Sequence, residues 1–144
     1  MSPIHKAFSA FCHLSFLDRY SDCVAEIDDL AAELRAFADK REWAQFHTVR
    51  NLILALAGEV GELAAEVQWI PDDAIAQALD NPEKQAAIES EMADVASYII
   101  RISDVLQIDL GAAIRAKLAL NESRYPADLT RGNALKYNEL NTNF

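Results

Sequence analysis

The chain has 144 residues, 51% of them hydrophobic, with only four Gly and four Pro. That length supports one domain with a core, and the scarcity of turn residues and of alternating β-branched runs excludes a sheet-rich fold. A formal net charge of −10 argues against a nucleic-acid polymer as partner, because such partners call for a basic face toward the phosphates. No apolar run is long enough to span a bilayer. Cys12 and Cys23 make neither a C-x-x-C motif nor a disulfide framework, so a reducing, cytoplasmic setting is expected.

In chain order, Phe8 to Leu17 is mildly apolar and is followed by Asp18, Arg19 and Tyr20 rather than by a small-residue cleavage site. It reads as an extra helix or frayed extension, not as a signal peptide. A helix is expected from an N-cap at Ser21 or Asp22 to Asp39, with Val24, Ile27, Leu30, Leu34 and Phe37 at helical spacing. The segment from Trp43 to Asn51 has no clear period, and Thr48 is a candidate cap for a long helix ending near Ile70, ahead of Pro71. Residues 74–85 are weakly periodic, and Asn81-Pro82 marks a turn or a new start. A further helix covers 83 to about 106. After a short link, Asp109 caps a last helix that runs to Arg124, and the chain beyond Pro126 is expected to be extended. The class is all-α, a bundle of four or five helices with N- and C-terminal arms.

Two of the helices carry acidic pairs in apolar surroundings. Glu59 and Glu62 border a sector of Leu52, Leu56, Val60, Leu63 and Val67. Glu91, Asp94 and Tyr98 align beside Met92, Val95, Ile99, Ile102 and Leu106. Spacing alone means little among 23 acidic residues, and pairs such as Glu26/Asp29 or Asp80/Glu83 lie in polar contexts. The surroundings distinguish the two pairs, because both helices look apolar nearly all round and their carboxylates are expected to lie inside the bundle. Four buried carboxylates repel one another and pay desolvation unless a cation joins them. All-oxygen ligands suit hard divalent ions, Mg²⁺ first and Mn²⁺ as a substitute, and the lack of His on either helix disfavours di-iron.

The string Trp43-x-x-Phe-His47-x-x-Arg-Asn-Leu, then Gly58-Glu59-Val-Gly-Glu62-Leu, Gln68-Trp69, Glu91-x-x-Asp94-Val-x-x-Tyr98 and Lys117-x-x-x-Asn121-x-x-Arg124-Tyr-Pro126 resembles the all-α nucleoside triphosphate pyrophosphatases. Within them it looks closest to the dCTP pyrophosphatase branch of the MazG-like group. The likeness spans about residues 27–140 and divides the chain into an extension (1–22), a MazG-like domain (23–126) and a tail (127–144). It implies Mg²⁺-dependent hydrolysis of a nucleoside triphosphate between the α and β phosphates, in a homodimer or homotetramer. Glu59, Glu62, Glu91 and Asp94 match the metal motif, with Glu62 the first candidate to orient the attacking water.

The resemblance also implies that Trp43 and Trp69 line the base site, that His47 and Tyr98 contact substrate, and that Lys117, Asn121 and Arg124, at i, i+4 and i+7 on one helix face, meet the phosphates. One position departs from the pattern: close relatives carry a His nine residues before the first Trp, where this chain has Leu34. The reaction is therefore better supported than cytosine selectivity. Two other readings remain at this point, a pyrophosphohydrolase for dUTP or a damaged purine nucleotide, and a non-catalytic helical module that binds a structural cation. Glu66 is left outside the site, and Arg131 and Lys136 of the tail are candidates to reach a neighbouring active site.

Overall fold

A computed structural model describes residues 16–139. The reading of Phe8 to Leu17 and the environment of Cys12 fall wholly or largely outside them. All regular structure among the described residues is helical: α1 (Phe16–Asp39), α2 (Val49–Val67), α3 (Ile75–Ala78), α4 (Pro82–Leu106), α5 (Leu110–Arg124) and α6 (Ala127–Thr130), with single 3₁₀ turns at Trp43–Gln45 and Asp72–Ala74. No helix of the described residues is long and apolar enough to cross a membrane. The chain divides into two compact units, residues 1–107 and 108–144.

In the first unit α4 is the central element. It packs along α2 over the largest interface and also against α1. Its N-terminus follows from Asn81, whose Oδ1 accepts from the Glu83 amide at 2.9 Å, and from Pro82 in the first turn, where the missing N–H costs nothing. At its C-terminus Gln107 takes a left-handed conformation, φ 55°, and its Nε2 donates to the Asp104 carbonyl. The cap at Thr48 forms as expected, with Oγ1 accepting from the Asn51 amide at 3.2 Å.

Four expectations are corrected. The first helix is already helical at Phe16, so Ser21 and Asp22 lie inside it and not at its cap. α2 ends at Val67 rather than near Ile70, because its last turn tightens into a bend, with Ile70 N donating to Val67 O, before Pro71. The irregular segment after Trp43 is a 3₁₀ turn whose exit is held by Asn51 Nδ2 donating to Phe46 O. The tail is not extended at its start. Its helical turn α6 is secured by Thr130 Oγ1 on Pro126 O and Asn133 Nδ2 on Leu129 O, short polar side chains completing backbone groups that the sequence period does not reveal.

A larger correction concerns burial. α2 was expected to be enclosed, yet within this chain only Leu52 of α2 is buried, while Leu54 is 66% exposed and Ile53 and Val60 are about half exposed. α4 covers one side of α2, and its Gly58 and Gly61 face open space. Three long helices are too few to wrap a helix that is apolar all round.

The second unit contains α5 and α6. Asp109 caps α5 through Oδ1, which accepts from the Ala112 amide at 2.7 Å. Asp109→Ala is expected to lower stability by about 1 kcal/mol, read as a small shift of the urea midpoint with unchanged slope; an identical midpoint would show that the cap is idle.

Candidate active site

The four motif carboxylates come from facing stretches of α2 and α4. Glu59, Glu62 and Glu91 each place a carboxylate oxygen within 4.8 Å of the others. Asp94 stands outside that trio but repels both Glu59 and Glu91 electrostatically. Glu59 and Glu91 are half-buried, whereas Glu62 and Asp94 are exposed, which corrects the expectation that all four lie inside: the helices that hold them are open on their outer faces.

Crowding leaves a signature even so. Desolvation, then Glu62 and Asp94, raise the Glu59 carboxyl above its ordinary value. Desolvation, then Glu62, Asp94, Glu59 and Glu66, raise Glu91. Ligand oxygens around a Mg²⁺ at about 2.1 Å lie about 3 Å apart when adjacent and about 4 Å apart when opposite. The trio is already close to that spacing, is made only of hard oxygen donors and carries uncompensated negative charge, so the residues present fit a hard divalent cation.

Glu66, left aside on sequence grounds, has a defined role. Lys84 Nζ donates to Glu66 Oε2 at 2.7 Å and to the Glu66 carbonyl at 2.9 Å. The Lys84 ammonium thus meets both a carboxylate and the C-terminal end of α2, where the helix dipole favours positive charge. It ties the start of α4 to α2 on the acidic side.

Beside the acidic group lies a cleft of about 350 Å³ lined by Leu34, Phe37, Trp43, His47, Leu52, Asp94, Ser97, Tyr98 and Arg101. Four of the expected site residues, Trp43, His47, Asp94 and Tyr98, therefore converge, and Asp94 belongs to both the cleft and the acidic group. A left-handed Glu42, φ 56°, turns the chain back after α1. Trp43 then meets Phe37 edge-on at 5.9 Å and lies tilted against His47 at 6.4 Å between ring centroids.

Phe37, Ser97 and Arg101 were not foreseen as cleft residues. A signal for Arg101 was present: Asp94, Tyr98 and Arg101 stand at i, i+4 and i+7, on one face of α4. Arg101 is 8% exposed. Its Nε donates to His47 Nδ1 at 3.1 Å, and its Nη1 pairs with Asp104. Asp104 also takes Arg35 of α1, with Arg35 Nε donating to Asp104 Oδ2 at 3.1 Å. Hydrogen bonding to Arg35 leads the causes that hold the Asp104 carboxyl below its ordinary value, and burial followed by the Arg101 charge lowers His47.

The structure does not bring every expected residue to the cleft. Trp69 sits just past the end of α2, 86% exposed and outside the lining. Lys117, Asn121 and Arg124 lie on α5 in the second unit. There Arg124 stacks its guanidinium over the Tyr137 ring at 5.0 Å, and Tyr137 meets Tyr125 edge-on.

An all-α chain with a carboxylate trio beside an aromatic cleft has the makings of a metal-assisted enzyme on a nucleotide. The description "MazG nucleotide pyrophosphohydrolase domain" matches residues 47–127, and the chain belongs to that family. It is 40% identical over 114 residues to dCTP pyrophosphatase 1 of Bos taurus, covering 79% of this chain and 68% of the relative, and 40% identical over the same length to dCTP pyrophosphatase 1 of Homo sapiens, covering 67% of that protein. A crystal structure of a pyrophosphatase from Archaeoglobus fulgidus superposes with a TM-score of 0.65 at 33% identity, over 70% of this chain and 93% of that one. The chain is thus a nucleoside triphosphate pyrophosphatase, similar to the dCTP pyrophosphatases.

Proposed function

We propose that the chain hydrolyses a deoxynucleoside triphosphate, dCTP or a related dNTP, to the monophosphate and pyrophosphate with Mg²⁺ as cofactor and Mn²⁺ as a substitute, clearing the cytoplasmic nucleotide pool. The observation that carries this reading is Asp94, which lines the aromatic cleft and is electrostatically coupled to Glu59 and Glu91. A base held in the cleft therefore has its phosphates led toward the acidic group. Glu59, Glu62, Glu91 and Asp94 would hold a divalent cation, which would supply Lewis-acid polarisation of the phosphate oxygens and offset the meeting of a polyanion with four carboxylates.

The protein's own groups do the rest. Glu62, the most exposed member of the trio, orients a water for in-line attack and receives its proton. Trp43 offers a ring face to the base, and Tyr98, between Asp94 and Arg101 on α4, offers its hydroxyl to the sugar or a phosphate. Lys117, Asn121 and Arg124 meet the phosphates in the assembled enzyme, as does Trp69 the base. The assembly is a homodimer or homotetramer; support comes from the exposed apolar face of α2 and from Met92 and Ile99 of α4, also exposed, surface that a second copy covers at little cost.

Incubation with each canonical dNTP and NTP plus Mg²⁺, with products identified, tests the reading. Monophosphate plus pyrophosphate from a deoxynucleotide supports it, and diphosphate plus phosphate, or no turnover, overturns it. Trp43→Ala is expected to raise KM by about 5- to 150-fold, the roughly 1–3 kcal/mol that a stacked base commands, with a smaller change in kcat. An unchanged KM would remove Trp43 from the base site.

A further inference from the structure

His47 reaches the cleft with one edge already committed. Its Nδ1 receives the Nε–H of Arg101, and a guanidinium can only donate. Nδ1 must therefore present its lone pair, and the proton of the neutral ring resides on Nε2, at the other side of the imidazole. A doubly protonated ring would set one N–H against another and a second cation beside Arg101.

Arg101 has little freedom to move away. It is almost wholly buried and paired with Asp104, whose side chain is 7% exposed and is gripped in turn by Arg35 from α1. The chain of contacts Arg35, Asp104, Arg101, His47 thus starts at the surface of α1 and ends at the cleft wall, joining α1 and α4 to the turn after Trp43. Leu34 contributes an apolar wall to the same cleft, so the polar reading of a base edge falls to His47 together with Ser97 and Tyr98.

We propose that Arg101 and Asp104 are positioning residues that lock His47 in its Nε2–H form, so that the cleft offers a fixed, uncharged hydrogen-bond donor and selects nucleobases that turn an acceptor, a carbonyl oxygen or an unprotonated ring nitrogen, toward it. This deepens the proposed function and rests on it for the identity of the ligand. The state of the ring itself does not depend on any nucleotide.

The test begins with the resting full-length protein, labelled with ¹⁵N-histidine, at neutral pH. Signals of His47 are assigned by their loss in His47→Gln. The expected spectrum shows Nδ1 unprotonated and Nε2 protonated; an Nδ1–H ring or a charged ring overturns the proposal, and the state of the ring is read on the wild-type protein. Arg101→Met is then expected to give mixed tautomers and to reduce the ratio of kcat/KM between the best and worst dNTP about tenfold, the share of one neutral hydrogen bond, mainly through KM. Arg101→Lys, which keeps a donor, is expected to recover part of both. A folded Arg101→Met protein that retains a pure Nε2–H ring and the full selectivity ratio overturns the assignment. Absence of turnover with every nucleotide counts against the proposed function instead, since the tautomer is read without substrate.

Discussion

Glu91→Gln is expected to reduce kcat by at least about 10²- to 10³-fold, the cost of losing one preorganised group that stabilises transition-state charge, and at the same time to stabilise the metal-free protein above neutral pH. Both effects come from the same crowding. Glu91 is half-buried and faces Glu62, Asp94, Glu59 and Glu66, all of which oppose its ionisation. A carboxyl raised in the folded state binds its proton more tightly there than in the unfolded chain. Its ionisation thus works against folding: stability is highest below the ordinary glutamate value and declines as pH rises from that value through the raised one. Glu59 acts in the same direction.

Asp104 has the opposite sign. Its lowered carboxyl supports folding above the ordinary aspartate value and loses that support as pH falls through the depressed one. The measurements are kcat with Mg²⁺ saturating near neutral pH and thermal midpoints with chelator and with Mg²⁺ across a pH range that extends from below the ordinary aspartate value to above neutrality. Wild type is expected to gain stability from Mg²⁺ by mass action and Glu91→Gln to gain much less. Retention of wild-type kcat by the variant, or an equal response to Mg²⁺, would remove Glu91 from the metal group.

Leu52→Ala is expected to be the most damaging apolar substitution in the first unit, at about 2–5 kcal/mol. Leu52 is 2% exposed and, with Ala38, forms the buried apolar core among the described residues. It also belongs to the cleft lining beside Trp43 and His47. Truncation therefore removes buried area and widens the floor of the cleft. The expected readout is a fall in urea midpoint at constant slope, together with a raised KM that survives at temperatures where the variant is fully folded. A loss below about 1 kcal/mol, outside the usual range for such a truncation, would mean that neighbouring side chains collapse into the space.

Much of the site was legible because helical geometry ties spacing to direction. Once two helices are inferred, Glu59 and Glu62 must share a face, as must Glu91, Asp94 and Tyr98, and the cap at Thr48 and the Asn81-Pro82 step announce where those helices begin. Arg101 is equally in register with Asp94 and Tyr98, but the period does not single it out, since an arginine in an apolar period is ordinarily a solvated residue. What marks it is its partner Asp104 and, through that, Arg35, 69 positions earlier than Asp104, a separation that no local pattern conveys.

By itself, then, the order of residues determined the helices, the faces they present and the set of oxygen donors, because each depends on contacts within a few positions of the chain. Which donors meet, with three carboxylates together and Asp94 turned to the cleft, was decided only by the packing of α2 on α4. The fixed edge of His47 likewise arises from side chains brought from three separate stretches. Burial was the property least readable in advance: an apolar helix states that it needs cover, and only the arrangement of neighbours in space says which face receives it.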